Sequence, residues 1–189
     1  MRIILASKSP RRRELLGKIF EKFDIVTADT DETLPEGVYP KEGVELLAVR
    51  KGEAVLPLVG EEALVISSDT LVELDGVPLG KPESEADAVR MLLSLSGRSH
   101  NVHTGVAVHY KGGCYSGVDT SSVIFKSLTE SEAWEYVKTG EPMDKAGSYA
   151  IQGIGGKFVD GYVGQFDVIV GLGLALTKEL IEKATGESL

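Results

Sequence analysis

Residues 63–79 read Ala63-Leu64-Val65-Ile66-Ser67-Ser68-Asp69-Thr70-Leu71-Val72-Glu73-Leu74-Asp75-Gly76-Val77-Pro78-Leu79. Ala63 to Ser67 is an apolar, β-branched run of strand length, and its lack of alternation marks it as buried on both faces. Thr70 to Leu74 continues this strand or pairs with the next extended segment. Asp75-Gly76 is the dipeptide that a two-residue hairpin favours, because both turn positions need positive φ, and it returns the chain through Val77 to Leu79. A buried strand leading into a hairpin calls for a sheet that is antiparallel in part.

The neighbouring segments agree. Arg2 to Ala6 reads as a short buried strand, and Ser9-Pro10 then caps and opens a helix to about Phe20. Phe23 to Ala28 is a second strand, Asp29 to Gly43 a loop, and Gly43 to Leu56 a helix with Leu46, Leu47, Val49 and Ala54 inward. Glu83 to Leu95 is helical, with Ala86, Val89, Leu92 and Leu93 inward. Val102 to Tyr110 alternates, turns at Lys111-Gly112-Gly113 and returns as Tyr115 to Phe125. Thr129 caps a helix to Lys138. Gly140 to Gly156 is a long polar loop, short strands lie near Phe158 and Ile169, and Leu174 to Ala184 is the last helix. The expected class is α/β, with a mixed, partly antiparallel sheet flanked by helices. No repeat or linker interrupts residues 1–189, which form one domain.

The chain of 189 residues carries 29 acidic and 20 basic side chains, a net charge of −9. That argues against a nucleic-acid polymer or an anionic membrane as partner, since both require a basic face. The single Cys114 precludes an internal disulfide and suits a reducing compartment, so a soluble, cytoplasmic protein is expected. Three features resemble functional motifs without meeting their chemistry. Gly76 to Lys81 is one residue short of a phosphate loop, and Pro82 stands where a hydroxyl is needed. Gly171-Leu172-Gly173 lacks the third small residue of a dinucleotide fingerprint. His100 and His103 are three apart on a strand, so they face opposite sides.

Chemistry concentrates in three segments. Residues 8–18 hold five bases and one acid, +4 locally, which leaves −13 on the rest. A leading Ser9 and a basic first turn suit an anion at a helix N-terminus, although a solvated basic face has the same composition. Asp69 stands at the end of a buried strand, where a carboxylate suits a ligand, with Lys81 on the returning hairpin. A carboxylate beside a lysine and a divalent cation can orient or deprotonate water. The third segment, Glu141 to Gly153, combines Asp144, Lys145 and Gln152 with glycines that permit close backbone approach. Together they suggest cations for phosphate, carboxylates for metal and amides for a base.

Leu5-Ala6-Ser7-Lys8-Ser9-Pro10-Arg11-Arg12-Arg13-Glu14-Leu15-Leu16, Ser68-Asp69-Thr70, Leu79-Gly80-Lys81-Pro82, Leu95-Ser96-Gly97-Arg98 and the run from Pro142 to Gly153 closely resemble the Maf family, in order and over nearly the whole chain. The resemblance implies a two-lobed fold around a central cleft, related to inosine triphosphate pyrophosphatases. It also implies a nucleoside triphosphate pyrophosphatase assisted by Mg²⁺ or Mn²⁺, with water attacking the α-phosphorus. By position, Asp69 matches the family's proton acceptor. Ser7, Lys51 and Lys81 match residues that hold phosphates, and Glu32 matches an acid that joins Asp69 around the metal.

Three further positions, Arg11, Thr70 and Gln152, match those that separate dTTP and UTP enzymes from 7-methyl-GTP enzymes. The pyrimidine assignment is chemically sensible. Uracil and thymine present a donor beside an acceptor, which the Gln152 amide matches in both senses. Arg11 can donate to a carbonyl and would repel a cationic base. Modified pyrimidine nucleotides would fit the same pocket. Homodimers are common in the family, and its name comes from inhibition of septum formation. The alternative is a non-catalytic nucleotide- or protein-binding regulator of division, against which the joint retention of Glu32, Lys51, Asp69 and Lys81 argues. Ser67-Ser68 replaces the usual Gly-Ala, Gly52 stands where Ala usually follows Lys51, and Val170-Gly171-Leu172-Gly173 replaces Val-Gly-Leu-Pro.

Overall fold

The β-branched pair Ile3-Ile4 and the buried Leu5 form the first strand of the sheet. In the computed structural model, which describes residues 1–189, β1 (Arg2–Leu5) runs parallel to β3 (Ala63–Leu74), with Ile3 opposite Leu64 and Leu5 opposite Ile66. On its other side β1 pairs in parallel with β2 (Asp24–Ile25). The hairpin partner β4 (Val77–Leu79) returns antiparallel on β3, with Leu79 opposite Val72, and Asp75 and Gly76 take the expected positive φ of 54° and 81°. A second two-residue turn, Lys111-Gly112 with φ 49° and 76°, joins β5 (Ser99–Tyr110) to β6 (Gly113–Phe125). β7 (Val159–Val163) closes the order β2-β1-β3-β5-β6-β7 antiparallel to β6. The sheet is mixed, as expected.

The helices are α1 (Pro10–Leu16), α2 (Pro40–Val59), α3 (Glu85–Leu95), α4 (Glu130–Val137), α5 (Phe166–Val170) and α6 (Leu174–Thr185). The chain forms two compact units, residues 1–69, 104–119 and 171–189 in one and residues 70–103 and 120–170 in the other. The first contains a core of Ile4, Ala6, Val55, Ala63 and Val65. In the second, Leu92, Leu95, Val102, Val123, Phe125, Tyr136, Tyr149 and Phe158 pack together, and Thr129 completes a reciprocal capping box with Glu132 at the start of α4.

Several local expectations change. α2 begins three residues early because Pro40 occupies the first helical position, where a missing N–H costs nothing. Its buried stripe is Val44, Leu47, Ala48, Gly52 and Val55; of the expected inward set Leu47 is buried, while Leu46, Val49 and Ala54 are half-buried. The segment is apolar on most sides, so contact with the strands, not periodicity, sets the helix phase. On α3, Ala88, Met91 and Leu95 point inward with Val89 and Leu92, while Ala86 and Leu93 are exposed. Only Asp24–Ile25 of the expected second strand is extended, α1 ends at Leu16, and Ile169 lies in α5, not in a strand.

Candidate active site

The first unit gathers charge just past the end of β1 and at Asp69, which lies within β3 and not at a strand end as expected, because the strand runs on to Leu74 after its pairing with β1 stops at Ile66. After β1 the Ser7 hydroxyl is buried; it accepts from Ser9 N at 3.2 Å and from Arg12 Nη1 at 3.4 Å. Ser9 caps α1 and accepts from Arg12 N. Arg12 Nε donates to the Gly171 carbonyl at 2.8 Å, and Ser68 Oγ from β3 donates to the same oxygen at 2.9 Å. Burial lowers the pKa of the Arg12 guanidinium while the charge of Asp69 works against that shift, with Arg11 lowering it and Glu32 raising it. A guanidinium stays protonated even so. Its positive charge is therefore fixed near two carboxylates.

Those carboxylates meet at Lys51. Its Nζ lies 2.5 Å from Asp69 Oδ1 and 2.8 Å from Glu32 Oε1. Lys51 sits four residues after Leu47, on the inward stripe of α2, so its stem is covered and its head reaches Asp69 within β3. Side-chain exposure falls to 17% for Lys51 and 14% for Asp69 but stays at 58% for Glu32. Glu32 is presented by a loop that Arg50 ties to α2, donating to Thr33 O at 2.8 Å and Asp31 O at 3.4 Å. Consecutive residues of α2 thus hold the loop and meet its acid.

Two carboxylates from separate segments converge on one point held by a cation. That arrangement suits Mg²⁺ or Mn²⁺, hard ions commonly held by one or two carboxylates, with waters and substrate phosphates completing the shell. No group of three or more His, Cys, Asp or Glu forms a complete protein cage.

In the second unit, Thr70 is half-buried on β3, and the β3–β4 register carries the returning chain to exposed Lys81. Gly147 N donates to Gly80 O at 3.1 Å, so the turn bearing Lys81 is bonded to the loop bearing Gln152. Gln152 is exposed on a turn closed by Gly153 N donating to Ala150 O. Glu141 organises that turn, accepting from Tyr136 Oη at 2.5 Å and from Ile154 N and Gly155 N at 2.9 Å each. Burial pushes the Glu141 carboxyl up, but these three donors carry it below its usual range. Tyr149, from the same loop, bonds His100 Nε2 at 2.6 Å inside an edge-to-face cluster with Phe125.

Sequence reasoning selected Arg11, which is half-buried on α1, but not Arg12 or Ser68, which the structure ties to Gly171. The missed signal was available. Leu15 and Leu16 are the buried residues of α1, and a residue three or four positions earlier shares their face.

Residues 2–184 match the family model described as Maf-like protein. A dTTP/UTP pyrophosphatase of Vibrio cholerae serotype O1 is 47% identical over 182 residues, spanning 96% of this chain and 97% of that protein. A dTTP/UTP pyrophosphatase of Pelotomaculum thermopropionicum is 48% identical over 183 residues, spanning 96% and 95%. Among solved structures, the Ham1 protein of Staphylococcus aureus aligns over 98% of this chain and 95% of its own with a TM-score of 0.54 at 17% identity. The last likeness concerns the fold.

Proposed function

The chain belongs to the Maf family, and we propose that it hydrolyses dTTP and UTP to the nucleoside monophosphate and pyrophosphate. The observation that carries this reading is the Glu32–Lys51–Asp69 cluster on β3, in a chain 47–48% identical over nearly its full length to dTTP/UTP pyrophosphatases.

Asp69 accepts the proton of the water that attacks the α-phosphorus. Lys51 donates to its Oδ1 in the free protein. The same lysine exchanges a carboxylate for a phosphate oxygen when substrate binds. Ser7 and Lys81 hold further phosphate oxygens, and Arg12 contributes a fixed positive charge beside them. Asp69 and Glu32 would hold a divalent cation, which would supply charge neutralisation on the phosphates. Gln152 reads the donor–acceptor edge of a pyrimidine, with Arg11 and Thr70 completing recognition; a modified pyrimidine that keeps that edge is also a substrate.

No helix is long and apolar enough to cross a membrane. A cytoplasmic location and a homodimer belong to the same proposal. The bond cleaved is tested by following dTTP and UTP with phosphorus NMR. Pyrophosphate and monophosphate are expected; orthophosphate and diphosphate would refute attack at the α-phosphorus.

A further inference from the structure

The residues that make this chain unusual around Lys51 meet one another. A side chain at Gly52 would overlap the ring of His109 and stand 2.8 Å from Ser67 Oγ. His109 is 3% exposed, and neither ring nitrogen has a hydrogen-bond partner. The ring therefore acts as a spacer that fills the notch left by Gly52. One turn earlier, Ser67 Oγ donates to Ala48 O at 2.7 Å and to Ala107 O at 3.4 Å. One turn earlier again, a side chain at Gly105 would stand 2.5 Å from Val44 O.

The contacts run along α2 at positions 44, 48 and 52 and along β5 at 105, 107 and 109. Four helical residues advance about 6 Å, and two strand residues advance about 6.6 Å. The two periods keep step over three rungs, so helix and strand lie against each other at backbone distance. Such a seam has little slack, because interiors are close-packed and the contacting groups are backbone or rigid ring.

We propose that the Gly105–Val44, Ser67–Ala48 and His109–Gly52 seam is the device that positions Lys51, fixing its ammonium between Glu32 and Asp69. Gly52 and His109 are positioning residues. They touch neither substrate nor metal and act through Lys51, which adjoins Gly52 on the helix and whose ammonium reaches Asp69, on the face of β3 that it shares with Ser67. The inference rests on the reading of Lys51 and Asp69 as members of the active site.

The test is a set of variants: Lys51→Ala, Gly52→Ala, His109→Ala and the pairs that combine them, each assayed for dTTP hydrolysis and for thermal midpoint. Gly52→Ala should lower kcat/KM by about ten- to a hundredfold, the scale of a displacement near 1 Å in a reacting group. Adding His109→Ala, which vacates the notch, should restore most of the loss. In the Lys51→Ala background, Gly52→Ala should have no further effect, since the residue it acts through is gone. A purely structural role predicts losses that multiply across backgrounds and follow the thermal midpoint, and that pattern would overturn the seam alone. Wild-type turnover by Lys51→Ala would overturn both the seam and the site. If Gly52→Ala does not fold, His109→Ala alone serves: it removes the spacer without overpacking and should lose activity only while Lys51 is present. Equal losses with and without Lys51 would refute the proposal.

Discussion

Acid should destabilise the protein through His100 before its carboxylates are protonated. This imidazole is 3% exposed on β5, packed edge-to-face against Phe125 and Tyr149, with Nδ1 unpartnered. Burial lowers its pKa from 6.5 to about 4. Because the folded value is depressed, the unfolded chain takes up a proton first as pH falls. Stability is therefore intact above about pH 6.5 and is lost progressively down to about pH 4. The full difference amounts to roughly 3 kcal/mol at 1.36 kcal/mol per pH unit, and roughly 2 kcal/mol of it falls between pH 7 and pH 5. The assay is urea denaturation of the wild type and His100→Phe at both pH values. The variant sacrifices the bond to Tyr149 and is less stable at pH 7, but its own loss between pH 7 and pH 5 should be smaller by roughly 2 kcal/mol. Equal losses would show that His100 protonates as readily in the fold as in water, and would refute the reasoning.

Three other outcomes are expected from the geometry. Gln152→Glu replaces a donor–acceptor amide by a carboxylate, and dTTP turnover should fall selectively while the thermal midpoint holds; unchanged dTTP kinetics would remove Gln152 from base recognition. Glu141→Gln leaves one of the donors Tyr136, Ile154 and Gly155 without its acceptor. It should lower the midpoint by about 2–4 °C, for a cost near 1 kcal/mol, and raise KM for dTTP more than it lowers kcat, by loosening the Gln152 turn. Leu92→Ala, at a fully buried position of α3, should cost about 2–5 kcal/mol in urea unfolding while leaving the kinetics of the folded enzyme intact.

Much of this architecture is legible in the sequence where local chemistry and tertiary contacts agree. Asp75-Gly76 and Lys111-Gly112 are read correctly because positive φ is a local demand that few residues meet. Thr129 is read correctly because its capping box lies within four residues. The phase of α2 was not legible, because a helix apolar on most sides has no face of its own until β3 and β5 press on it. That error had a functional consequence. Lys51 lies on the true stripe, so a lysine amid inward residues went unnoticed from periodicity and entered only through the family resemblance. Glu32 entered the same way, since nothing local to residues 29–39 says that Arg50 will hold the loop beside Lys51. Asp69 was singled out unaided as an acid at a strand end, but the strand continues to Leu74, so it stands within β3, just past the stretch paired with β1. The departures at Gly52 and Ser67 looked unrelated in the sequence, yet in the fold a side chain at position 52 would meet both Ser67 and His109.

The most direct test of the account is pyrophosphate release from dTTP, UTP, dCTP, GTP and 7-methyl-GTP with Mg²⁺ or Mn²⁺, by the wild type and by Asp69→Asn at matched thermal midpoints. The account predicts turnover of dTTP and UTP that falls at least about a hundredfold in the variant, the scale of a lost general base. Undiminished turnover by Asp69→Asn, or silence of the wild type on both pyrimidine nucleotides, would contradict it.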